Sequence, residues 1–295
     1  MAIKTETYHH ANQVPKPWVE DLYPNDPNPP PEGLLETSAA DLDTADLDTE
    51  RYYQYDFHRL EVEHVWKKTW QMACRAEEIP DAGDYLVYDI VDDSVVVVRG
   101  PNGDIAAYTN SCLHRGTTLV EGSGNIKDFR CPYHGWTYDL NGALKYVPGS
   151  WDFAHLDLEN TKLLRVKIDF WGGFVFVNLD EHCDSLANYL GVLPKHLNDF
   201  HIENRYKALH VSQVVPCNWK VAQEAFIEGY HVAETHFEKD ADGNIAPVGA
   251  AVANYDTSIQ NDYWSPHISR MTMLSGIPSR YIADQIDGEQ GIIDA

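Results

Sequence analysis

Two short segments in the middle of the chain each combine a thiol with an imidazole. Cys112 and His114 lie in the first segment, and Cys131 and His134 lie in the second. The spacing is Cys-x-His, then sixteen residues, then Cys-x2-His. Thiolate sulfur and imidazole nitrogen are the ligands that zinc and iron take in proteins, and a glycine close to each histidine allows a tight turn. The two segments therefore predict a metal site built from two loops.

Two metal chemistries suit four such ligands. A structural zinc ion is the first, but zinc-finger spacing pairs cysteine with cysteine and histidine with histidine. Here each segment offers one of each, which favours a cluster of two irons, one bound by both cysteines and the other by both histidines. An incidental arrangement is a third reading, disfavoured because the chain has only five cysteines.

The pattern resembles the Rieske iron–sulfur motif, C-x-H-x(15–17)-C-x2-H. The resemblance implies a 2Fe-2S cluster bound by Cys112, His114, Cys131 and His134. Together with the second motif described below, the resemblance covers roughly residues 52–237.

Respiratory Rieske proteins carry an additional cysteine in each segment and a serine two residues after the second histidine. This chain has Thr117, Tyr133 and Trp136 at those positions. We therefore expect fewer hydrogen bonds to the cluster sulfurs and a lower reduction potential. Both features are typical of the oxygenase or ferredoxin type.

A second group of metal-binding side chains lies at 218–236, where a helix is predicted. At ~100° per residue, Glu228 and His231 lie ~60° apart on the helix, whereas His231 and His236 lie ~140° apart. Both histidines can bind one metal only if the helix ends or bulges between them. Taken alone, the pair fits surface or hydrogen-bonded core histidines equally well.

The segment is similar to the N-W-K-x3-E-N-x2-[DE]-x-Y-H-x4-H signature of Rieske non-haem iron oxygenase large (alpha) subunits. The resemblance implies that His231 and His236 bind a mononuclear Fe(II). It also implies that Glu228 links this iron to a Rieske histidine across a subunit boundary. Ala225 departs from the signature, which usually has asparagine there.

The third iron ligand of that family is an aspartate well downstream of the histidine pair. Asp256, Asp262, Asp284 and Asp287 are available carboxylates, but none has a matching sequence context. The third ligand is therefore not identified. We expect this chain to be an N-terminal portion of a full-length subunit, or a natural truncation.

The elements that must position these residues are predicted from periodicity. Apolar residues at three- and four-residue spacing predict one amphipathic helix over 52–75, ending near Pro80. Short β-branched and aromatic runs at 85–88, 94–98, 105–108 and 174–177, separated by glycines, predict antiparallel strands. Beyond residue 180 we expect a helix at 186–200, a strand at 206–216 and a helix at 218–237.

The predicted organisation has three parts. Residues 1–45 form an extended proline-rich arm, 46–180 a Rieske 2Fe-2S domain with a leading helix, and 181–295 an incomplete mononuclear-iron domain. The resemblance implies an α+β fold, in which an antiparallel β Rieske domain precedes part of a catalytic domain with a helix on an antiparallel (START-like) sheet.

Net charge and hydropathy exclude some classes of binding partner for this chain. The chain has 22 basic and 46 acidic residues, a net charge of −24, which disfavours nucleic acid and anionic membranes. No apolar run approaches the ~20 residues of a membrane helix. The polar N-terminus lacks a secretory signal. We therefore predict a cytoplasmic protein.

The resemblance implies the oxygenase component of a multicomponent Rieske oxygenase, which receives electrons from a reductase, directly or through a ferredoxin. It would use O2 to hydroxylate or oxidatively demethylate a small organic substrate, for which we expect an aromatic compound and a role in aromatic hydrocarbon catabolism. The implied assembly is a homotrimer or an α3β3 oligomer. The alternative is a Rieske-type electron-transfer protein without oxygenase activity, which would not need the second metal-binding segment.

Overall fold

The computed structural model describes residues 31–38, 45–228, 231, 237–239, 245–247 and 259–273. The chain divides into two compact units. The first, which we call the cluster unit, comprises residues 48–191 and 197–214, and the second, the iron-motif unit, comprises 1–47, 192–196 and 215–295. Within the described residues, no helix is both long enough and apolar enough to cross a membrane. The domain boundaries expected near residues 45 and 180 stay predictions.

The cluster unit begins with short helices in place of the single helix expected over 52–75. Helices α1 (Glu50–Tyr53) and α2 (Tyr55–Glu61) lead into a π-helical turn, Val62–Trp66. The prediction is wrong beyond this turn, because Gln71–Arg75 forms strand β1. Its backbone pairs in antiparallel fashion with residues 174–177, and this long-range pairing overrides the helical periodicity of the local sequence.

Antiparallel sheets form the rest of this unit, as expected from the sequence. The remaining strands of this unit are β2 (Asp84–Ile90), β3 (Asp93–Arg99), β4 (Ile105–Thr109), β5 (Ser123–Asn125), β6 (Phe129–Arg130), β7 (Thr137–Tyr138), β8 (Leu144–Tyr146), β9 (Lys167–Trp171) and β10 (Phe174–Asn178). A four-stranded sheet has the order β4-β3-β2-β5, a three-stranded sheet has the order β1-β10-β9, and β6-β7-β8 form a small third sheet. All four strands predicted before residue 180 are confirmed.

The valines of β3 are buried on both faces of the sheet. Val96 and Val98 pack into the same apolar cluster as Cys112 and Cys131, whereas the alternate valines pack into a second cluster on the other face. Side chains alternate across a strand, so a continuous apolar run indicates a strand that is covered on both sides. Strand β3 thus contributes to the apolar cluster in which the two cysteines are buried.

The helix expected over 186–200 is interrupted. Helix α3 (Leu186–Leu190) ends at Gly191, and α4 (Leu193–His196) belongs to the iron-motif unit. The strand expected at 206–216 is wrong, because these residues form neither helix nor strand. Tyr206 and Leu209 are largely exposed, and no strand in the described part of the chain pairs with this segment.

The iron-motif unit contains helix α5 (Trp219–Ile227), which begins where the Asn218 side chain accepts a hydrogen bond from the backbone N–H of Lys220 at 2.9 Å. Asparagine is a preferred residue at this N-cap position. Helix α5 is shorter than the helix expected over 218–237, because it ends at Ile227. Strands β11 (Phe237–Lys239) and β12 (Ile245–Pro247) pair with each other, as do β13 (Ile259–Ser265) and β14 (Ile268–Met273).

The described part of the proline-rich arm is attached to this unit. Residues Glu32–Leu35 form a 3-10 turn where extended chain was expected. The Glu36 carboxylate lies 3.1 Å from His196 Nε2, and the N–H of Ser38 donates to Asp262 Oδ1 at 2.8 Å. The prediction for residues 1–30 and 39–44 lies outside the described residues.

Candidate metal centre

The first cluster loop connects β4 to β5 and is closed by two backbone hydrogen bonds. The N–H of Gly116 donates to the carbonyl of Cys112 at 2.8 Å, and the N–H of Cys112 donates to the carbonyl of Thr117 at 2.9 Å. Gly116 has φ +76°, a left-handed conformation that glycine adopts without steric cost. These two hydrogen bonds fix the turn that carries Cys112 and His114.

The second loop connects β6 to β7 and has the same hydrogen-bonded turn. The N–H of Gly135 donates to the carbonyl of Cys131 at 3.0 Å, and the N–H of Cys131 donates to the carbonyl of Trp136 at 2.8 Å. Gly135 has φ +73°. In both loops the glycine lies four residues after the cysteine, although the cysteine–histidine spacing differs by one residue. The shared turn explains how unequal spacings give two similar loops.

The four candidate ligands form an inner sulfur pair and an outer nitrogen pair. Cys112 and Cys131 are free thiols that are each only 2% exposed. His114 is half-buried and His134 is exposed, and their ring centroids lie 4.7 Å apart. This arrangement fits a 2Fe-2S cluster with the cysteines on a buried iron and the histidines on an iron near the surface.

The zinc and iron–sulfur readings differ in how many protein ligands each metal ion takes. A structural zinc site requires four ligands on one ion, whereas a Rieske cluster requires only two protein ligands on each iron. Across the described ranges, no group of three histidine, cysteine or acidic side chains could hold one metal ion.

The environments of the two thiols differ. Burial, together with the neighbouring Cys131 thiol, raises the pKa of Cys112 above its ordinary value. Burial acts in the same direction on Cys131, but hydrogen bonds from the backbone N–H groups of Tyr133 and His134, together with those from the Cys112 and Thr117 side chains, outweigh it and hold the pKa of that thiol below its ordinary value. Because thiolate is the form that binds metal, these N–H groups favour the ligating state of Cys131.

Tyr138 is a site residue that the sequence did not reveal. It is fully buried on β7, and its hydroxyl oxygen lies 3.4 Å from Cys112 Sγ. The N–H of Leu113 donates to the same oxygen at 3.1 Å, which leaves the hydroxyl hydrogen free to point at the sulfur. Burial raises the pKa of Tyr138, so the hydroxyl stays protonated.

This hydroxyl adds a sulfur contact to those expected from Thr117, Tyr133 and Trp136. Strand alternation would have indicated Tyr138, since it lies two residues beyond the buried Trp136 on the same chain segment. The expected scarcity of hydrogen bonds to the sulfurs does not hold at Cys112.

Aromatic rings fix the orientation of both imidazoles. The His114 ring stacks on Trp136 with centroids 5.1 Å apart and an interplanar angle of 9°. The Phe153 ring contacts both rings edge-on, with centroids 5.7 Å from Trp136 and 6.3 Å from His114. The Tyr133 ring lies 3.9 Å from the His134 ring. The nitrogen ligands are thus held by packing.

The iron-motif unit brings Glu228 and His231 together. Helix α5 ends at Ile227 and Glu228 is extended, so the helical offset expected between these two residues does not apply. The Glu228 carboxylate contacts His231 Nδ1, and the backbone N–H of His231 donates to Glu228 Oε2 at 3.2 Å. A carboxylate on one ring nitrogen orients a histidine and leaves the other nitrogen for a metal. His236 lies outside the described residues.

Only one candidate for the third iron ligand lies in the described residues. Asp262 is buried, accepts from the Ser38 N–H and lies 3.1 Å from Arg270 Nη2. These contacts engage both of its oxygens in holding the arm and the β13–β14 hairpin. Asp256, Asp284 and Asp287 lie outside the described residues.

Two family models match the chain. Residues 69–156 match the Rieske [2Fe-2S] domain, and residues 194–287 match the ring hydroxylating alpha subunit (catalytic domain). The first match contains both cluster loops, and the second contains Glu228, His231 and His236. The order of the two matches is the order predicted from the sequence.

Individual relatives agree with these matches. The alpha subunit of benzene 1,2-dioxygenase from Pseudomonas putida is 35% identical over 196 residues, which are 64% of this chain and 44% of the relative. The oxygenase subunit of carnitine monooxygenase from Acinetobacter pittii is 31% identical over 179 residues, 60% of this chain and 48% of the relative. The chain thus spans about half the length of the curated relatives it matches.

Solved structures show the same similarity. Naphthalene 1,2-dioxygenase from Rhodococcus sp. is 34% identical with a TM-score of 0.55, and the match covers 61% of this chain and 43% of that one. A quaternary ammonium Rieske monooxygenase in complex with L-carnitine is 29% identical with a TM-score of 0.60, over 63% of this chain and 54% of that one.

Proposed function

Because this chain belongs to the family of Rieske oxygenase alpha subunits, we propose that it acts as the oxygenase component of a multicomponent system. The observation that carries the proposal is the pair of matched loops with buried sulfurs and outward imidazoles. The catalytic-domain match over residues 194–287 favours an oxygenase over an electron carrier without its own oxygenase activity.

We assign the cluster ligands residue by residue. Cys112 and Cys131 hold one iron, and His114 and His134 hold the other. When bound, the 2Fe-2S cluster supplies one-electron transfer. The chain buries the sulfur side from water and leaves the imidazole side open, so that an electron donor can approach it. That donor is a reductase, directly or through a ferredoxin.

His231 and His236 are the proposed ligands of the mononuclear iron, with a third ligand not assigned. When bound, Fe(II) with two histidines and a carboxylate supplies oxygen activation. Glu228 holds Nδ1 of His231 and so sets which nitrogen faces the metal. The Glu228 side chain is 39% exposed, which leaves it accessible to a cluster histidine of a neighbouring subunit in a homotrimer or an α3β3 assembly.

The substrate is a small organic molecule. The two relatives differ here, since one is named for benzene and the other for carnitine. An aromatic substrate, a role in aromatic hydrocarbon catabolism and a cytoplasmic location stay predictions. Benzene and carnitine are the two probes that separate ring hydroxylation from attack on a quaternary ammonium compound.

The test measures how fast O2 reoxidises the chemically reduced protein. Visible absorption monitors the reaction in the presence of benzene, in the presence of carnitine and without either compound. We expect one compound to accelerate reoxidation, because substrate-coupled oxygen use consumes cluster electrons. In His231→Ala the cluster should still form, but the acceleration should vanish. Reoxidation that is indifferent to both substrates and to His231 would favour the electron-carrier alternative.

A further inference from the structure

Asn110 is the first residue of the first cluster loop and is only 2% exposed. Its backbone N–H donates to the carbonyl of Ser94 at 2.9 Å. Its side-chain Oδ1 accepts from the N–H groups of Leu119 and Val120 at 3.2 and 3.1 Å. Its Nδ2 donates to the carbonyl of Val120 at 2.8 Å and to Ser94 Oγ at 3.1 Å. One buried amide therefore ties the start of the loop to its end and to strand β3.

The two loops are closed by different means. The second loop is flanked by paired strands, since Arg130 on β6 pairs with Thr137 on β7. The first loop runs from β4 to β5, which are not neighbours, because the sheet order is β4-β3-β2-β5. Strand pairing therefore cannot hold the ends of the first loop together. The hydrogen bonds of the Asn110 amide hold the ends of this loop together instead.

The position of the first loop matters for the ligands of both loops. Cys112 contacts the Tyr138 hydroxyl on β7, and His114 stacks on Trp136. A shift of the first loop would change both contacts and the 4.7 Å separation of the His114 and His134 rings. Ligands must be held to a fraction of an ångström for a defined metal geometry.

We infer that Asn110 is a positioning residue for the cluster, whose amide does for the first loop what strand pairing does for the second. The inference rests on the proposed cluster assignment. It predicts that Asn110 affects the spectrum and the retention of the cluster beyond any effect on the stability of the fold.

Asn178 provides a matched control. It is a buried asparagine of the same unit, 1% exposed, and its side chain also closes a turn. Its Nδ2 donates to the carbonyl of Lys68 at 3.2 Å, and its Oδ1 accepts from the N–H of Asp180 at 2.9 Å. Neither partner belongs to a cluster loop. Asn178→Ala thus measures the general cost of removing a buried, hydrogen-bonded amide.

The experiment compares Asn110→Ala with Asn178→Ala in the iron-loaded protein. The readouts are the visible circular dichroism of the cluster, the rate of iron release to a chelator and the thermal midpoint. We expect both variants to lower the midpoint. Only Asn110→Ala should change the dichroism, and it should release iron about tenfold faster, the factor that corresponds to losing roughly one net hydrogen bond.

Asn110→Asp is the second variant, which keeps the Oδ1 acceptor for Leu119 and Val120 but loses the Nδ2 donor to the Val120 carbonyl and to Ser94 Oγ. We expect an intermediate release rate, and this variant decides the question if Asn110→Ala does not fold. Dichroism and release rates like those of Asn178→Ala would overturn the positioning role. A wild-type protein without iron and sulfide would contradict the cluster assignment itself, which is a distinguishable failure.

Discussion

The cluster site and the iron motif differ in how much of their geometry is local in sequence. Each cluster loop closes on itself through a cysteine and the glycine four residues later, so the ligands are set by a few neighbouring backbone groups. Among the described residues of the iron motif, the one local contact of this kind joins Glu228 and His231, just after a helix that ends at Ile227. The positions of ligands on a hydrogen-bonded turn can therefore be predicted from the local sequence. The positions of ligands on a helix can be predicted only if the residue at which the helix ends is known.

The largest effect expected is loss of the cluster in Cys131→Ser. Removing one of the two thiolates leaves the buried iron with a single protein sulfur ligand, so iron, acid-labile sulfide and visible colour should all disappear. Cys183→Ser is the control, because Cys183 lies outside both loops and should keep the full iron and sulfide content. Full colour in Cys131→Ser would remove this residue from the ligand set.

The next effect concerns the iron motif. In Glu228→Gln the carboxylate that orients His231 is lost, so Fe(II) affinity of this site should fall by about 10- to 100-fold. The 2Fe-2S content should not change. Anaerobic Fe(II) titration of cluster-loaded protein measures the affinity.

Glu203→Gln serves as its control, because Glu203 also faces a histidine, His201, at 3.5 Å, but in the cluster unit. Its Fe(II) affinity should match the wild type. Equal titrations for Glu228→Gln and Glu203→Gln would show that Glu228 does not orient a metal ligand.

A smaller effect is expected at Tyr138. A hydroxyl that donates to Cys112 Sγ stabilises the more negative, reduced cluster, so Tyr138→Phe should lower the reduction potential. One net hydrogen bond corresponds to about 20–60 mV for one electron. Tyr108→Phe is the control, since Tyr108 is buried in the same apolar cluster. Redox titration with optical detection should show no shift for Tyr108→Phe, and a Tyr138→Phe potential equal to wild type would mean that the hydroxyl does not bond the sulfur.

The smallest effect is a difference in alkylation between two cysteines that lie outside the cluster loops, Cys74 and Cys217. Burial raises the pKa of Cys74 from its ordinary value of 9.0 to about 12, whereas Cys217 is exposed. The neutral thiol of folded Cys74 contributes stability below pH 9.0, and this contribution is lost as the pH rises towards 12. Iodoacetamide at pH 8 should therefore label Cys217 and spare Cys74, as mass spectrometry of peptides would show. Equal labelling would contradict the buried position of Cys74.

The sequence predicted the strands at 85–88, 94–98, 105–108 and 174–177, because β-branched and aromatic runs bounded by glycines are local signals. It mispredicted 71–75 and 206–216. The first is a strand because of pairing with residues 174–177, and the second lacks a paired strand among the described residues. Both outcomes depend on long-range partners that no local window contains.

The candidate site likewise has features that the local sequence predicts and features that depend on long-range contacts. The grouping of the proposed cluster ligands could be predicted from spacing alone, since each loop is one turn. Alternation indicates that Tyr138 is buried, but the contacts of Tyr138 and Asn110 could not be predicted, because they join residues 9 to 26 positions apart in the chain. The ring stacking of His114 on Trp136 likewise arises only when the two loops meet.

The central claim is that the two loops hold two unlike irons, one bound by Cys112 and Cys131 and the other by His114 and His134. Mössbauer spectroscopy of the oxidised protein, loaded with the Mössbauer isotope of iron, tests this most directly. We predict two iron environments in equal amounts, because thiolate sulfur and imidazole nitrogen differ in their electron donation. A single iron environment, or stoichiometric zinc without sulfide, would contradict the account.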